Sequence, residues 1–313
     1  MLKTFLLIVV GLAGDPEHGK TFHAWGTKLA EASTQLGVVP ERLVYLVDAP
    51  AEGDKQVTGP ATREEITRAL DRFAKEAGPE DVVFVMLIGH GTADGRTSKF
   101  NLPGRDLGAA DFDALLKKLP AKVVFVNTAS SSGPFVEALS GLGRTIVTAT
   151  RNGAEQYATL FGGFFIDALT SEAADLDKNK RISVLEAFNS AKADVARAYE
   201  QRGLLATEHA LLDDNGDKEG SQTPLVADKT GKVSTDGKVA SILAFGVAGD
   251  ATLPSDPKLR ALHLDRRDLE RRVETLRLLK ESMPPAKYAA ELESLLTAMA
   301  LKTREIRDAE PAK

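Results

Sequence analysis

The chain contains no cysteine. That absence excludes disulfides, a cysteine-ligated zinc site, an iron–sulfur cluster and a thiolate nucleophile. It also lacks any 18-residue apolar run, so no membrane-spanning segment is expected. An excess of positive charge is missing too. Lys and Arg number 40 against 45 Asp and Glu, a net charge of −5, which argues against broad nucleic-acid binding. What is present is a 43% apolar share, too high for a disordered chain. A length of 313 residues suits one large domain with an appendage, or two domains.

Apolar runs punctuate the first half. Residues 5–11 form one, and Leu43–Val47, Val82–Ile88, Val123–Val126 and Thr145–Thr148 form four more. Continuous runs of this length predict strands covered on both faces. The run at 5–10 after Lys3 also looks like the start of a secretory signal, but it is short and no clear cleavage site follows. It reads equally well as a first strand. An exported location would follow if residue 1 marks a cut after a removed signal, and a cytoplasmic one otherwise.

Between the runs lie helical patterns. Phe22, Trp25, Leu29, Ala32 and Leu36 are spaced three and four apart. Thr62 and Glu65 make a capping box ahead of Ile66, Leu70 and Phe73. A short helix is marked by Phe112–Leu119, and longer ones by 157–172 and 183–202; Ser241–Phe245 reads as a late strand. Alternating strands and helices predict an α/β fold, a mostly parallel sheet with helices on both faces. From residue 256, Leu262, Leu269 and Leu276 recur every seven residues, and Pro284-Pro285 breaks the pattern. A second stripe of Leu292, Leu295, Met299 and Ile306 follows, so 256–313 is expected to be an α-helical hairpin beside an α/β domain at 1–255. The hairpin could pack on its own domain or mediate self-association.

Ligands bind at the carboxyl ends of strands in such sheets. After the third strand stands Ile88-Gly89-His90-Gly91, and after the fourth Asn127-Thr128-Ala129-Ser130-Ser131-Ser132-Gly133. Alone, His90 could be a local hydrogen-bonding residue and Ser130 a cap or a polar loop. The Ser is not in a G-x-S-x-G nucleophile elbow. Together, an apolar run ending in Gly-His-Gly and another ending in Ala-Ser-x-Ser-Gly resemble the caspase and legumain group of cysteine peptidases. The segment Ala149–Tyr157 after the fifth strand looks like the one that lines the legumain pocket.

That resemblance implies a caspase-like fold. It implies His90 and Ser130 at the catalytic His and nucleophile positions, with the Gly91 N–H as an oxyanion donor. It also implies Arg151 and Glu155 at a substrate pocket, and peptides cleaved after Asn or Asp by a working relative. Ser130 departs from the family by standing where the Cys belongs. A thiol is partly ionised near neutral pH, whereas a serine hydroxyl needs a hydrogen-bonded base. A loss of ~10³-fold corresponds to about 4 kcal/mol of barrier. The chain is therefore expected to be inactive or very slow, either as a natural pseudopeptidase or as a Cys-to-Ser trapped form. A non-catalytic, calcium-stabilised module binding peptides or proteins is the alternative.

Asp175, Asp177, Asn179, Arg181 and Glu186 match the twelve-residue EF-hand loop, which would bind Ca²⁺ through side-chain oxygens and the Arg181 carbonyl. Lys180 stands where a glycine normally permits the turn. Asp213, Asn215 and Asp217 read as turn residues of an Asn-Gly loop, although their alternate oxygens could hold a cation. A zinc site at the lone His209 is not expected, and His18, His23 and His263 read as surface residues. Gly14–Thr21 formally matches a P-loop with Lys20 as its lysine. Pro16, Asp15 and Glu17 oppose phosphate there, although Asp48 ends a strand.

Overall fold

The computed structural model describes residues 3–50, 55–94, 97–179, 181–226, 234–245, 256–278 and 283–309. In chain order the first strands and helices are β1 (Thr4–Val10), α1 (Pro16–Ala32), β2 (Leu43–Val47), β3 (Gly59–Pro60), α2 (Arg63–Glu76) and β4 (Val82–Ile88). Next come β5 (Gly91–Asp94), β6 (Thr97–Phe100), β7 (Leu107–Gly108), α3 (Ala109–Leu116), β8 (Lys122–Asn127), α4 (Phe135–Leu139) and β9 (Arg144–Thr148). The remainder are α5 (Phe161–Leu169), β10 (Ile182–Ser183), α6 (Val184–Gln201), β11 (Leu211–Asp213), β12 (Ala244–Phe245), α7 (Pro257–Leu278) and α8 (Pro285–Ala309).

The main sheet has seven strands in the order β11-β9-β8-β4-β1-β2-β3. Every pair is parallel except β9–β11, where Leu211 faces Thr148 and Asp213 faces Ile146. Alternate residues of β1 feed two cores. Leu6, Ile8 and Val10 pack with α1, α5 and α6 residues such as Phe22, Phe165 and Phe188. Phe5, Leu7 and Val9 pack with Ile66, Phe73 and Phe112 of α2 and α3. Each buried Leu or Phe stabilises the fold by about 1.5–3 kcal/mol relative to exposure, which is why these strands are apolar throughout. The expected α/β architecture is borne out.

Several expectations shift in detail. The helix expected over 157–172 is confined to α5, since Glu208 takes the N–H groups of Leu160 and Phe161 at its start. Of Ser241–Phe245 only Ala244–Phe245 is strand. The N–H groups of Ser241, Ile242 and Leu243 turn back to Gly237 and Val239 instead. The Gly-rich stretch after His90 is a three-stranded sheet, β5-β6-β7. Thr62 caps α2 as expected, accepting the Glu65 N–H.

The chain divides into compact units, Leu2–Val247 and Ala248–Lys313. The expected boundary at 255 adjoins residues 246–255, outside the described residues. In the second unit α7 and α8 pack on each other, with Lys302 Nζ 3.5 Å from Asp265 Oδ2. Leu279, which continues the apolar stripe of Leu262, Leu269 and Leu276 in the sequence, lies outside the described residues. Among the described residues no helix is long and apolar enough to cross a membrane.

β1 lies between β2 and β4, so the chain first winds one way and then the other. Ligands bind at such a switch point in open α/β sheets, and here the segments leaving β1 and β4 meet, the Gly11 N–H bonding the Ile88 carbonyl at 2.9 Å. His90 leaves β4 at that point, and Ser130 leaves the neighbouring β8.

Candidate active site

Asn127 ends β8 by accepting the Ala129 N–H on Oδ1 at 3.0 Å, which turns the chain at the strand end. Ser130 follows, 2% exposed. Its Oγ accepts the Gly91 N–H at 3.1 Å and donates to the Gly91 carbonyl, also at 3.1 Å. Those contacts bring the ends of β4 and β8 together. Among the described residues no hydrogen bond joins Ser130 to His90. The Gly91 N–H, expected to face an oxyanion, is instead spent on Ser130 Oγ.

His90 is half-buried. Its ring stands edge-on to His18, with centroids 5.0 Å apart, and to Phe22 at 5.2 Å. Burial, and then the His18 imidazole, hold its pKa below the ordinary value; a hydrogen bond with the Ala13 backbone pulls the other way. The site thus favours the neutral ring, the form a general base requires. His18 is in turn gripped by Asp15, Nδ1 to Oδ2 at 2.6 Å. His18 and His23 were both expected as surface residues. His23 instead bonds Asp48 across 2.7 Å, and His263 in α7 is half-buried.

Asp15 also settles how the P-loop-like segment is used. It is the N-cap of α1, and its Oδ1 accepts the N–H groups of Glu17 and His18 at 2.9 Å. A P-loop offers such amides to phosphate. Here a carboxylate of the chain already occupies them, and Asp48 is engaged by His23.

The loop after β9 seals the far side of Ser130. Ser131, buried at φ +55°, donates its N–H to the Glu155 carbonyl at 2.8 Å and its hydroxyl to the Gly153 carbonyl at 3.0 Å. Ser132 Oγ meets Thr150 Oγ1 at 3.1 Å, and the Gly133 N–H bonds the same Thr150 oxygen at 2.9 Å. Gly133 is needed for this approach: a Cβ there would stand 2.3 Å from Arg151 C and Asn152 N.

Glu155 does not offer a free carboxylate to a substrate. Oε1 pairs with His209 Nδ1 at 2.6 Å and Arg151 Nε at 3.0 Å. Oε2 takes the N–H groups of Arg151 and His209 at 3.0 and 3.1 Å. Arg151 remains half exposed, with a side chain 50% accessible. Sequence reasoning missed His209 and Glu208 because their partners lie about fifty residues away. Glu208, 4% exposed, is pushed up by burial, against the N–H groups of Leu160 and Phe161 that favour its charge.

The acidic loops lie elsewhere. Carboxylate oxygens of Asp175, Asp177 and Glu186 come within 4.8 Å of one another. Glu186 is already committed: Oε1 takes the Leu176 and Asp177 N–H groups, and Oε2 those of Ser183 N and Oγ, closing the capping box of α6. Asn179 donates its N–H to Asp175 Oδ1 and Asp177 Oδ1 at 3.0 Å, and the Arg181 N–H bonds Asn179 Oδ1 at 2.8 Å. Lys180 lies outside the described residues. Asp213, Asp217 and Asp236 likewise bring carboxylate oxygens within 4.8 Å of one another. Burial, then the charges of Asp213, Asp214 and Asp217, outweigh an Asp214 N–H and push Asp236 up to about 7.

Residues 65–212 match the family model of the Peptidase C13 family, a stretch that includes both His90 and Ser130. That stretch of the chain is similar to the Peptidase C13 family. The legumain-type resemblance of the strand-end motifs is therefore borne out at the level of family. No curated protein matches the chain.

Proposed function

We propose that this legumain-like peptidase homologue binds peptide or protein segments at the carboxyl end of the sheet, beside His90 and Ser130, and cleaves them very slowly or not at all. The observation that carries the reading is the hydrogen bonding of Ser130. Its hydroxyl proton is directed to the Gly91 carbonyl, and no hydrogen bond from His90 prepares it for attack. A hydroxyl without a bonded base stays protonated, whereas a thiolate at the same place would need no such contact. The half-exposed guanidinium of Arg151 offers a contact for an acidic or amide side chain of the bound segment.

The test is Ser130→Cys, assayed on peptides containing Asn and Asp. Hydrolysis at least ~10³-fold above the native chain, lost again on adding His90→Ala, is the expected result. Neither hydrolysis nor peptide affinity in either form would overturn the site assignment.

A second reading is a calcium-stabilised, non-catalytic binding module, in which Asp175, Asp177 and Glu186 would take the ion once Glu186 releases the N–H groups it now accepts. A calcium-dependent rise in melting temperature that disappears in Glu186→Gln is its expected signature.

A further inference from the structure

The loop after β11 carries a feature that neither catalysis nor the 175–186 loop uses. Asp213 is 0% exposed, and its Oδ2 is buried without a hydrogen-bond partner. Its Oδ1 takes the Gly216 N–H at 3.2 Å, and the Ser140 hydroxyl and the Asn215 N–H also favour the charged carboxylate. A carboxylate oxygen in that situation loses its hydration without a close donor to replace it, which is unfavourable for a charged group. Asp217 and the buried Asp236 then bring two further carboxylates to the same place. Three acidic groups gathered beside that residue repel one another, although Asp217 accepts the Asn215 amide at 2.9 Å and the Glu219 N–H at 2.8 Å, and a cation would relieve the repulsion.

We infer that Asp213, Asn215, Asp217 and Asp236 form a binding site for a calcium-type divalent cation, distinct from the 175–186 loop. Oxygen-only donors of this number suit a hard cation with flexible coordination. Asp213, Asn215 and Asp217 occupy alternate positions of one loop, as the first ligands of a twelve-residue calcium loop do. Gly216 at φ +81° and Lys218 at φ +70° bend that loop back. Asp236 arrives from a separate segment, which is fastened independently. Its Oδ1 takes the Asp214 N–H at 3.3 Å, while Asp214 holds the Gly237 and Ala240 N–H groups at 2.9 and 2.7 Å. The ion would complete a junction that the backbone has already aligned.

The site's place in the sheet defines its role. Asp213 pairs with Ile146 near the start of β9, and Gly216 lies against Gly141 ahead of that strand. This is the end of the sheet opposite Ser130, so the ion stabilises the edge strand and touches no reacting group.

The experiment is calorimetric melting and calcium titration of the full chain, in calcium and in EDTA. At calcium 100-fold above its Kd, a rise of about 5–10 °C in melting temperature is expected. The rise should persist in Glu186→Gln and vanish in Asp213→Asn and Asp236→Asn. In EDTA, Asp236→Asn should melt at or above the native chain, because it relieves repulsion. Should Asp213→Asn fail to fold, the exposed Asp217→Asn carries the same test. No calcium response in the native chain would overturn the inference. So would a response that survives both Asp236→Asn and Asp217→Asn, or one that Glu186→Gln abolishes. None of these outcomes touches the peptidase reading, which rests on hydrolysis by Ser130→Cys.

Discussion

The two ends of the main sheet differ in how their hydroxyls and carboxylates are partnered, although each end holds an unpartnered buried polar atom, Asn127 Nδ2 at the carboxyl end and Asp213 Oδ2 at the other. At the carboxyl end, Ser130, Ser131, Ser132 and Thr150 each find a partner within the chain, and Glu155 alone ties down Arg151 and His209. At the other end, Asp213 keeps a buried oxygen with no partner, beside two more carboxylates. A polar group satisfied by its own chain fixes geometry. One left unsatisfied in the interior calls for something from outside the chain. The first end therefore holds the Ser130 hydroxyl in a fixed place, away from chemistry. The second is a junction completed by an ion.

This contrast can be broken at one end at a time. The largest effect is expected from Gly133→Ala, whose added methyl would meet Arg151 and Asn152 backbone atoms at 2.3 Å. A loss of about 3 kcal/mol is expected, read from the urea midpoint. The calcium response at the opposite end should survive it. A neutral outcome would show that the loops after β8 and β9 are not locked together. Glu208→Ala should cost about 2 kcal/mol by orphaning the Leu160 and Phe161 N–H groups at the start of α5. Glu208→Gln, which keeps one acceptor oxygen, should cost less; equal losses in the two variants would point to charge rather than capping.

The smallest effect concerns pH. His90 has its pKa held below the ordinary 6.5 in the fold. The unfolded chain thus takes up a proton that the folded chain resists, and stability falls as the pH drops below about 6.5. The contribution is fully present above that value. His90→Asn should flatten the slope in this window. A slope unchanged in the variant would assign it to other groups.

How much of this was legible in the sequence follows from the range of the interactions. The five long strands stand out because burial on both faces requires unbroken apolar runs such as Val82–Ile88. The sheet β5-β6-β7 left no such mark, since strands like Gly91–Asp94 are short, polar and half exposed. At the site, the Gly-His-Gly and Ala-Ser motifs marked the strand ends correctly. The engagement of Gly91 by Ser130 could not be read, because it depends on how closely two strand ends approach. Glu155 looked like a pocket residue because His209, which claims it, lies 54 positions on. Asp213, Asn215 and Asp217 do form the expected turn, with the Gly216 N–H on Asp213 and the Asp217 N–H on Asn215, but the approach of Asp236 from a remote segment gives no local pattern.

The sheet's margins bear on how the chain behaves among copies of itself. An apolar parallel sheet with open edges offers rows of unpaired amides to any neighbouring chain, and such edges seed aggregation. Here one margin ends in β3, just Gly59 and Pro60, and the proline has no amide to offer. The other is closed by β11, three residues that run against the grain of β9 and cover it. Cover at that margin therefore rests on three residues and on the bridge from Leu212 to Ser221 outside them. A cation clamped at Asp213 would, by holding this short strand in place, also protect the molecule from edge-to-edge association.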